Sequence, residues 1–155
     1  MNRRSIEDFL FYEARLMDEH RLREWLSLWS DDGVYWVPTS VDATDPDKEV
    51  SIIYDDRSKI TDRIEYLESG TIRGANARPF LRRVVGNVEL IRATEEAADV
   101  ESNFVLVEAR DDRQFFWAGR SFHRLRDEGN GIKIAFKKVL LTNCKQPMST
   151  LQFLI

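Results

Sequence analysis

The spacing of apolar residues changes from a helical to an alternating pattern near residue 80 of the sequence. Before that point, most apolar side chains recur every three or four residues, which places them on one face of a helix. Beyond it, they alternate with polar residues, which places them on one face of a strand. Helices followed by a run of strands predict an α+β domain, in which N-terminal helices pack on one face of a strongly curved, mainly antiparallel sheet.

Capping and turn residues set the predicted bounds of these elements. Asp56 can cap the start of the third helix and Gly70 can end it. The segment Asp31-Asp32-Gly33 is typical of a turn, here from the second helix to the first strand. The predicted helices cover residues 6–18, 20–29 and 55–70, the predicted strands cover 34–38, 81–93, 98–110, 113–126 and 131–143, and residues 39–49 and 71–79 are predicted loops.

Three positions in the later strands are irregular. The apolar parity of the last strand changes within residues 136–139, so one extra residue near Lys137 and Lys138 predicts a β-bulge. Gly86 and Gly119 lie inside otherwise regular strand patterns and predict bends where the sheet curls over the helices.

The length and composition predict one globular domain over residues 1–155. No run of about 18 apolar residues could cross a membrane, and Glu7 and Asp8 interrupt the apolar stretch that a secretory signal needs, so we expect a cytoplasmic protein. The net charge of -4 argues against binding to nucleic acid. The segment "KIAFKK" at 133–138 alternates lysine with apolar residues, and we interpret it as a solvated strand face.

Cysteine and histidine are too scarce for the common metal centres. Cys144 is the single cysteine, which excludes an intrachain disulfide, a cysteine-rich zinc site and a cysteine-held iron–sulfur cluster. A mononuclear iron site of two histidines and a carboxylate would need both His20 and His123, and no supporting motif is present. We therefore expect no metal and no cofactor in this chain, with Cys144 a small buried hydrophobe and His20 a capping or surface group.

Four long segments resemble the small β subunit of bacterial aromatic-ring-hydroxylating dioxygenases. They are "IEDFLFYEARLMDEHRLREWLSLWSDDGVYWVP" at 6–38, "SIIYDDRSKITDRIEYLESG" at 51–70, "RRVVGNVEL" at 82–90 and the C-terminal "QFLI". The resemblance implies a cone-shaped fold of the nuclear-transport-factor-2 (NTF2-like) or cystatin-like type. It also implies a structural, non-catalytic subunit, three of which support three large subunits in an α3β3 assembly. In such assemblies the Rieske [2Fe-2S] cluster and the mononuclear iron belong to the large α subunit, which catalyses cis-dihydroxylation of an aromatic compound.

An alternative function belongs to a different class. Other proteins of cone fold are dehydratases or isomerases, and here Asp32, Tyr35 and His123 could line an internal pocket, with His123 as a base paired with Asp32 or Tyr35. The same cavity could also bind a small ligand without chemistry. Against this, Asp-Asp-Gly is ordinary turn chemistry, and a hydrogen-bonded structural histidine is the simpler interpretation of His123.

The C-terminal tail and the aromatic residues indicate buried contacts. The tail "MSTLQFLI" at 148–155 is apolar, so we expect it to be docked against its own sheet or against a neighbouring subunit. Aromatic residues are also common in subunit interfaces, so we expect self-association, and the resemblance implies a trimer. The charged segment "YDDRSK" at 54–59 is explained by capping of the third helix and needs no ligand.

Overall fold

The computed structural model describes residues 1–69, 78–110, 112–145 and 151–155. Within these residues, three helices pack on one six-stranded sheet of strand order β2-β1-β6-β5-β4-β3. Neighbouring strands are antiparallel except for the parallel pair β1 and β6. The predicted α+β class is therefore confirmed. The helices are α1 (Arg3–Asp18), α2 (Leu22–Ser27) and α3 (Arg57–Glu68), and the strands are β1 (Trp29–Pro38), β2 (Ser51–Asp56), β3 (Phe80–Ala93), β4 (Ala97–Arg110), β5 (Arg113–Asp127) and β6 (Ile132–Leu141).

Helix α1 begins three residues before its predicted start because Asn2 caps it. The Asn2 side chain accepts a hydrogen bond from the backbone N–H of Ser5 at 2.9 Å, as an N-cap residue does. At the other end, the backbone N–H groups of His20 and Arg21 donate to carbonyls of the last turn, and His20 has a positive φ of 53°. His20 thus occupies the left-handed position that closes a helix C-terminus, which confirms its predicted capping role.

The second helix is shorter and the first strand longer than the sequence predicts. Helix α2 ends at Ser27, and the backbone N–H of Ile134 donates to the Leu28 carbonyl at 2.7 Å, so pairing with β6 starts at Trp29. Asp31 and Asp32 therefore lie inside β1, at a register irregularity, and the predicted helix-to-strand turn is wrong.

Gly33 allows this irregularity because its backbone lies close to neighbouring residues. A Cβ at this position would lie 2.8 Å from the Trp29 ring and 3.1 Å from the Ile134 carbonyl oxygen. The backbone of β1 therefore passes closer to its neighbours than any side chain at residue 33 would permit.

Strand β2 was not predicted, whereas α3 was. The β2 segment is an edge strand that pairs with β1, and Ile53 is its one buried apolar residue, so its period is weak. The cap of α3 is confirmed, since the Asp56 side chain accepts from the backbone N–H of Lys59 at 2.9 Å. The predicted end at Gly70 and most of the predicted loop 71–79 lie outside the described residues.

The β-bulge of the last strand exists, but two residues earlier than predicted. Arg124 pairs with Phe136 and Leu125 pairs with Ile134, which leaves Ala135 as the extra residue. This shift turns Lys137 to the inner face, where it is 2% exposed. The interpretation of 133–138 as a solvated strand face is therefore wrong for Lys137.

The two strand glycines differ in what they do. At Gly86 the β3–β4 register shifts before Glu89, and the intervening Asn87 has a positive φ of 49°, which confirms an irregularity there. At Gly119 both ladders continue without a shift. A Cβ at Gly119 would collide with the Leu140 carbonyl oxygen, so glycine serves close packing at this position rather than a bend.

The core lies between the helices and the inner face of the sheet, and it includes the end of the chain. Phe153, Leu154 and Ile155 are all at most 4% exposed, so the predicted docking of the tail against its own sheet is confirmed for residues 151–155. Residues 146–150 lie outside the described part of the chain. None of the described helices is long and apolar enough to cross a membrane.

Candidate functional site

A buried carboxylate, Glu13, lies at the centre of the protein on the inner face of α1. It is 2% exposed, and its neighbours on the same helix face are Leu10 and Met17. The Glu13 Oε1 atom accepts hydrogen bonds from Lys137 Nζ at 2.8 Å and from Trp25 Nε1 at 3.1 Å. Its Oε2 atom is 3.0 Å from Nε2 of His123. Glu13, His123 and Lys137 are called the charge cluster below.

Burial and mutual attraction act in opposite directions within the charge cluster. Burial alone would raise the pKa of Glu13, but the attraction of Lys137 and His123 and their hydrogen bonds hold it well below its usual range. Burial lowers the pKa of Lys137, and the Glu13 carboxylate opposes that shift. The cluster therefore holds an ionised Glu13 whose acceptor positions are taken up by neighbours from α2, β5 and β6.

The ionised carboxylate determines that Nε2 of His123 is a donor. An ionised carboxylate can only accept, so Nε2 of His123 must carry the proton that it donates to Glu13. The other ring nitrogen, Nδ1, is buried and has no hydrogen-bond partner among the described residues. His123 also lines a small cavity, together with Ser102, Phe104 and Ser121.

That cavity is too small for a substrate. The space in which the centre of a water molecule could move is about 20 Å³. Such a volume suits about one water molecule, whereas sites for small organic ligands occupy several hundred Å³. The interior near His123 is therefore filled by protein side chains.

The structure separates the three residues of the alternative pocket. Asp32 lies at the surface with its side chain 69% exposed, and its Oδ1 accepts from Arg126 at 2.5 Å. Tyr35 is fully buried, its hydroxyl donates to the Ile155 carbonyl at 2.5 Å, and burial raises its pKa. The partner of His123 is Glu13 rather than Asp32 or Tyr35, so the proposed catalytic pairs are not formed.

Sequence reasoning missed Glu13 and Lys137. Glu13 falls at helical spacing with Ile6, Leu10 and Met17, which are buried, and this spacing was a usable signal for a buried acid. Lys137 carried no such signal, because its inward position depends on a bulge at Ala135 that the sequence placed two residues later.

A second buried ion pair joins α1, β3 and the tail. Arg83 Nε donates to Asp18 Oδ1 at 2.7 Å, and both side chains are at most 4% exposed. Arg83 Nη2 also donates to the Leu154 carbonyl at 2.9 Å. One guanidinium thus holds three segments in contact, which is a structural arrangement rather than a reactive one.

The other candidate ligands have structural partners. His20 Nε2 donates to the Pro79 carbonyl at 2.8 Å, and Cys144 is buried. Asp55 pairs with Arg63 at 2.6 Å, while Asp56 caps α3. Across the described ranges, no group of three or more His, Cys, Asp or Glu residues could hold a metal ion.

Comparison with solved structures identifies the fold. The beta subunit of the benzoate 1,2-dioxygenase of Burkholderia mallei superposes with a TM-score of 0.82 at 24% identity, over 96% of this chain and 95% of that one. An NTF2-like protein with a cystatin-like fold from Novosphingobium aromaticivorans superposes with a TM-score of 0.61 at 14% identity, over 91% and 82% of the two chains. The predicted NTF2-like, cystatin-like fold is confirmed.

Comparison of sequences identifies the family. The chain is 34% identical over 140 residues to the 2-halobenzoate 1,2-dioxygenase small subunit of Burkholderia cepacia, which covers 87% of this chain and 85% of that protein. Residues 12–147 match the family model described as ring hydroxylating beta subunit. The chain therefore belongs to the family of ring-hydroxylating beta subunits.

Proposed function

We propose that this chain is the non-catalytic, structural small (β) subunit of the terminal oxygenase of an aromatic-ring-hydroxylating dioxygenase. The observation that carries the proposal is the family match over residues 12–147. The described interior supports it, since the charge cluster is tightly packed and adjoins a cavity with room for about one water molecule. The enclosed side chains of the charge cluster hold the surrounding elements together and have no access to an aromatic substrate.

A small oxygenase subunit has a large subunit as its partner. We infer an α3β3 assembly in the cytoplasm, in which the Rieske [2Fe-2S] cluster and the mononuclear iron reside in the large subunit. The donor set of this chain fits neither centre, because Cys144 is its one cysteine and His20 and His123 each hydrogen-bond to other groups. The assembly would cis-dihydroxylate an aromatic compound with dioxygen and with electrons from NAD(P)H. Within it, residues 1–155 form one domain that contributes no catalytic residue.

The alternative of a free-standing dehydratase, isomerase or small-ligand binding protein is not favoured. Such a protein needs its acid or base beside a substrate-sized cavity. Here Asp32 is at the surface and His123 adjoins about 20 Å³ of free space.

The test uses conservative variants of the alternative pocket in the assembled oxygenase. Asp32→Asn and His123→Gln should each leave turnover by the complex with its large subunit within about threefold of the wild type. A group acting as general acid or base would instead cost on the order of 10²-fold or more. Thermal unfolding is measured beside activity, because loss of the His123 hydrogen bond can cost about 1–3 kcal/mol of stability and imitate a catalytic loss.

Two results would overturn the proposal. One is a stable, correctly assembled Asp32→Asn or His123→Gln oxygenase that has lost activity by about 10²-fold. The other is a purified small subunit that binds about one iron per chain, released by substitution of His20 or His123.

A further inference from the structure

Arg57, the first residue of α3, has a guanidinium group that is partly withdrawn from water and unpaired. Its Nε and Nη1 atoms are buried and have no hydrogen-bond partner, and the residue forms no ion pair within the described ranges. Of the five N–H donors of a guanidinium, the one on Nε and the two on Nη1 therefore lack an acceptor. Arg57 as a whole is half-buried, which leaves Nη2 as the nitrogen within reach of solvent.

The position of Arg57 on α3 explains its burial. Ile60 and Ile64 follow it by three and seven residues, and both are 0% exposed, so all three side chains lie on the helix face that packs against the protein. The sequence thus places a long charged side chain at the end of an apolar stripe. Burial of the Arg57 guanidinium is a consequence of helix packing and does not depend on an ion pair.

The acids beside Arg57 are engaged elsewhere. Asp55 pairs with Arg63 at 2.6 Å. The Asp56 side chain accepts a backbone N–H of the first turn of α3 at 2.9 Å. Ion pairing and helix capping therefore explain the two acids of the segment 54–59, but they leave the guanidinium of Arg57 without a partner.

The end of α3 at which Arg57 lies is electropositive. The macrodipole of a helix puts partial positive charge at its N-terminus, where anions are stabilised and cations are not. The first turn of this 12-residue helix contains Arg57 and the exposed Lys59 and no acid. An incoming carboxylate would therefore be attracted by two cations and by the helix dipole together.

An unpaired, partly buried charge has a cost that a partner can remove. Taking a charge out of water is unfavourable unless an opposite charge and hydrogen bonds compensate it. Within its own chain, Arg57 lacks both. The planar guanidinium matches the geometry of a carboxylate, so a carboxylate from another protein would supply the compensation.

The surroundings of α3 fit an unlike partner better than a second copy. The most exposed apolar side chains, Phe80, Val84 and Phe116, lie on β3 and β5. Helix α3 contacts β1 and β2, at the other edge of the sheet. Interfaces between identical subunits are the more apolar ones, whereas the end of α3 presents charged groups.

We propose that Arg57 binds a carboxylate side chain of the large subunit, which docks at the N-terminal end of α3. The proposal rests on the proposed function, because that function supplies the large subunit. It adds the residue and the chemistry of one contact between the two subunits. Arg57 then destabilises the small subunit on its own and stabilises the complex.

The experiment makes two measurements on the full chain. They are the midpoint of urea unfolding of the small subunit alone and its dissociation constant from the large subunit of the same oxygenase. Arg57→Met should leave the midpoint unchanged or raise it, because it removes an unpaired, partly buried charge. The same variant should raise the dissociation constant at least about tenfold, since a charged hydrogen bond to the partner is lost.

Three further variants serve as controls. Arg63→Met, on the same helix, removes the partner of Asp55 and should lower the urea midpoint. Arg4→Met removes an exposed arginine of α1 that forms no ion pair in the part of the chain that the structure describes, and it should change neither measurement. Arg57→Lys keeps the charge but not the planar fork, so it should retain part of the affinity.

Each contrary result has a distinct meaning. If Arg57→Met lowers the urea midpoint as much as Arg63→Met does, Arg57 stabilises its own chain and the inference is wrong. An unchanged dissociation constant also overturns it. If Arg57→Met weakens self-association instead of binding to the large subunit, a second copy supplies the acid, contrary to the inference. A wild-type chain that does not bind the large subunit at all overturns the proposed function as well.

Discussion

The Nζ atom of Lys137 lies 2.8 Å from Oε1 of Glu13, and both side chains are 3% exposed. This contact joins α1 to β6 across 124 positions of the sequence. A buried charge is tolerated when an opposite charge and hydrogen bonds compensate it. Glu13 and Lys137 provide this compensation for each other. Replacing one residue of the pair should therefore destabilise the fold more than replacing both.

Replacing Lys137 alone should strongly destabilise the fold. Lys137→Met leaves the Glu13 carboxylate buried with reduced compensation, and loss of one partner of a buried pair costs about 3–5 kcal/mol. The free energy of unfolding, measured by urea titration, should fall by that amount. The exposed Lys59→Met serves as the control and should change it by less than about 0.5 kcal/mol.

The double variant Glu13→Gln with Lys137→Met should recover much of this loss. It removes both charges, and the carbonyl oxygen of the glutamine can still accept from Trp25. The glutamine N–H can donate to Nε2 of His123, which accepts when the imidazole proton is on Nδ1. The two single variants and the double variant form a thermodynamic cycle, in which the coupling free energy should be at least about 2 kcal/mol. Additive effects of the two substitutions would show that the pair is not coupled, contrary to the geometry.

The pH dependence of stability should reveal the lowered pKa of Glu13. A carboxyl group with a lower pKa in the folded state than in the unfolded state stabilises the fold above the unfolded value, about 4.3 for glutamate. That contribution is lost as the pH falls below about 4. The difference in unfolding free energy between the wild type and the double variant Glu13→Gln with Lys137→Met, which lacks both titrating groups, should therefore be nearly constant around neutral pH and shrink in this acidic range. A difference that stays constant down to pH 2 would contradict the assigned shift.

The sequence predicted the helices and long strands well because their signals are local. Apolar spacing placed β3 to β6 within about two residues, and the side chain of Asp56 marked the start of α3. Strand β2 escaped prediction because an edge strand with one buried apolar residue has almost no period. Asp31 and Asp32 were assigned to a turn because Asp-Asp-Gly is typical of turns. In the structure, pairing of β1 with β6 keeps the same residues in an irregular part of the strand.

The interior was harder to predict because it depends on long-range register. Tyr35, His123 and Asp32 were reasonable candidates by residue type, yet only the fold shows that Asp32 faces solvent and that His123 meets Glu13 from another element. A shift of one residue reverses the face of every following side chain in a strand, so the position of the bulge at Ala135 decides that Lys137 is buried. The sequence pattern predicted a bulge in this strand but placed it about two residues too late.

Tyr35 should contribute to stability through the docked tail. Tyr35→Phe removes the hydrogen bond to the Ile155 carbonyl and leaves that buried acceptor without its donor, which should cost about 1–3 kcal/mol. The half-exposed Tyr66→Phe is the matched control and should have little effect. Hydrogen exchange should also quicken near residues 151–155 in Tyr35→Phe. Unchanged stability in both variants would mean that the hydroxyl does not hold the tail.

Gly119 and Gly86 provide a matched pair that tests the packing of the sheet. At Gly119 a methyl group would collide with the Leu140 carbonyl oxygen and lie 3.0 Å from the Phe104 ring, so Gly119→Ala must displace backbone as well as side chain. Overpacking of this kind costs about 1–3 kcal/mol and more where the neighbour is backbone. At Gly86 no atom lies within 4 Å of the added methyl group, and Gly86→Ala should be neutral or slightly stabilising because it reduces the freedom of the unfolded chain. Thermal unfolding of the two variants under identical conditions makes the comparison, and a smaller loss for Gly119→Ala than for Gly86→Ala would refute the described contact between β5 and β6.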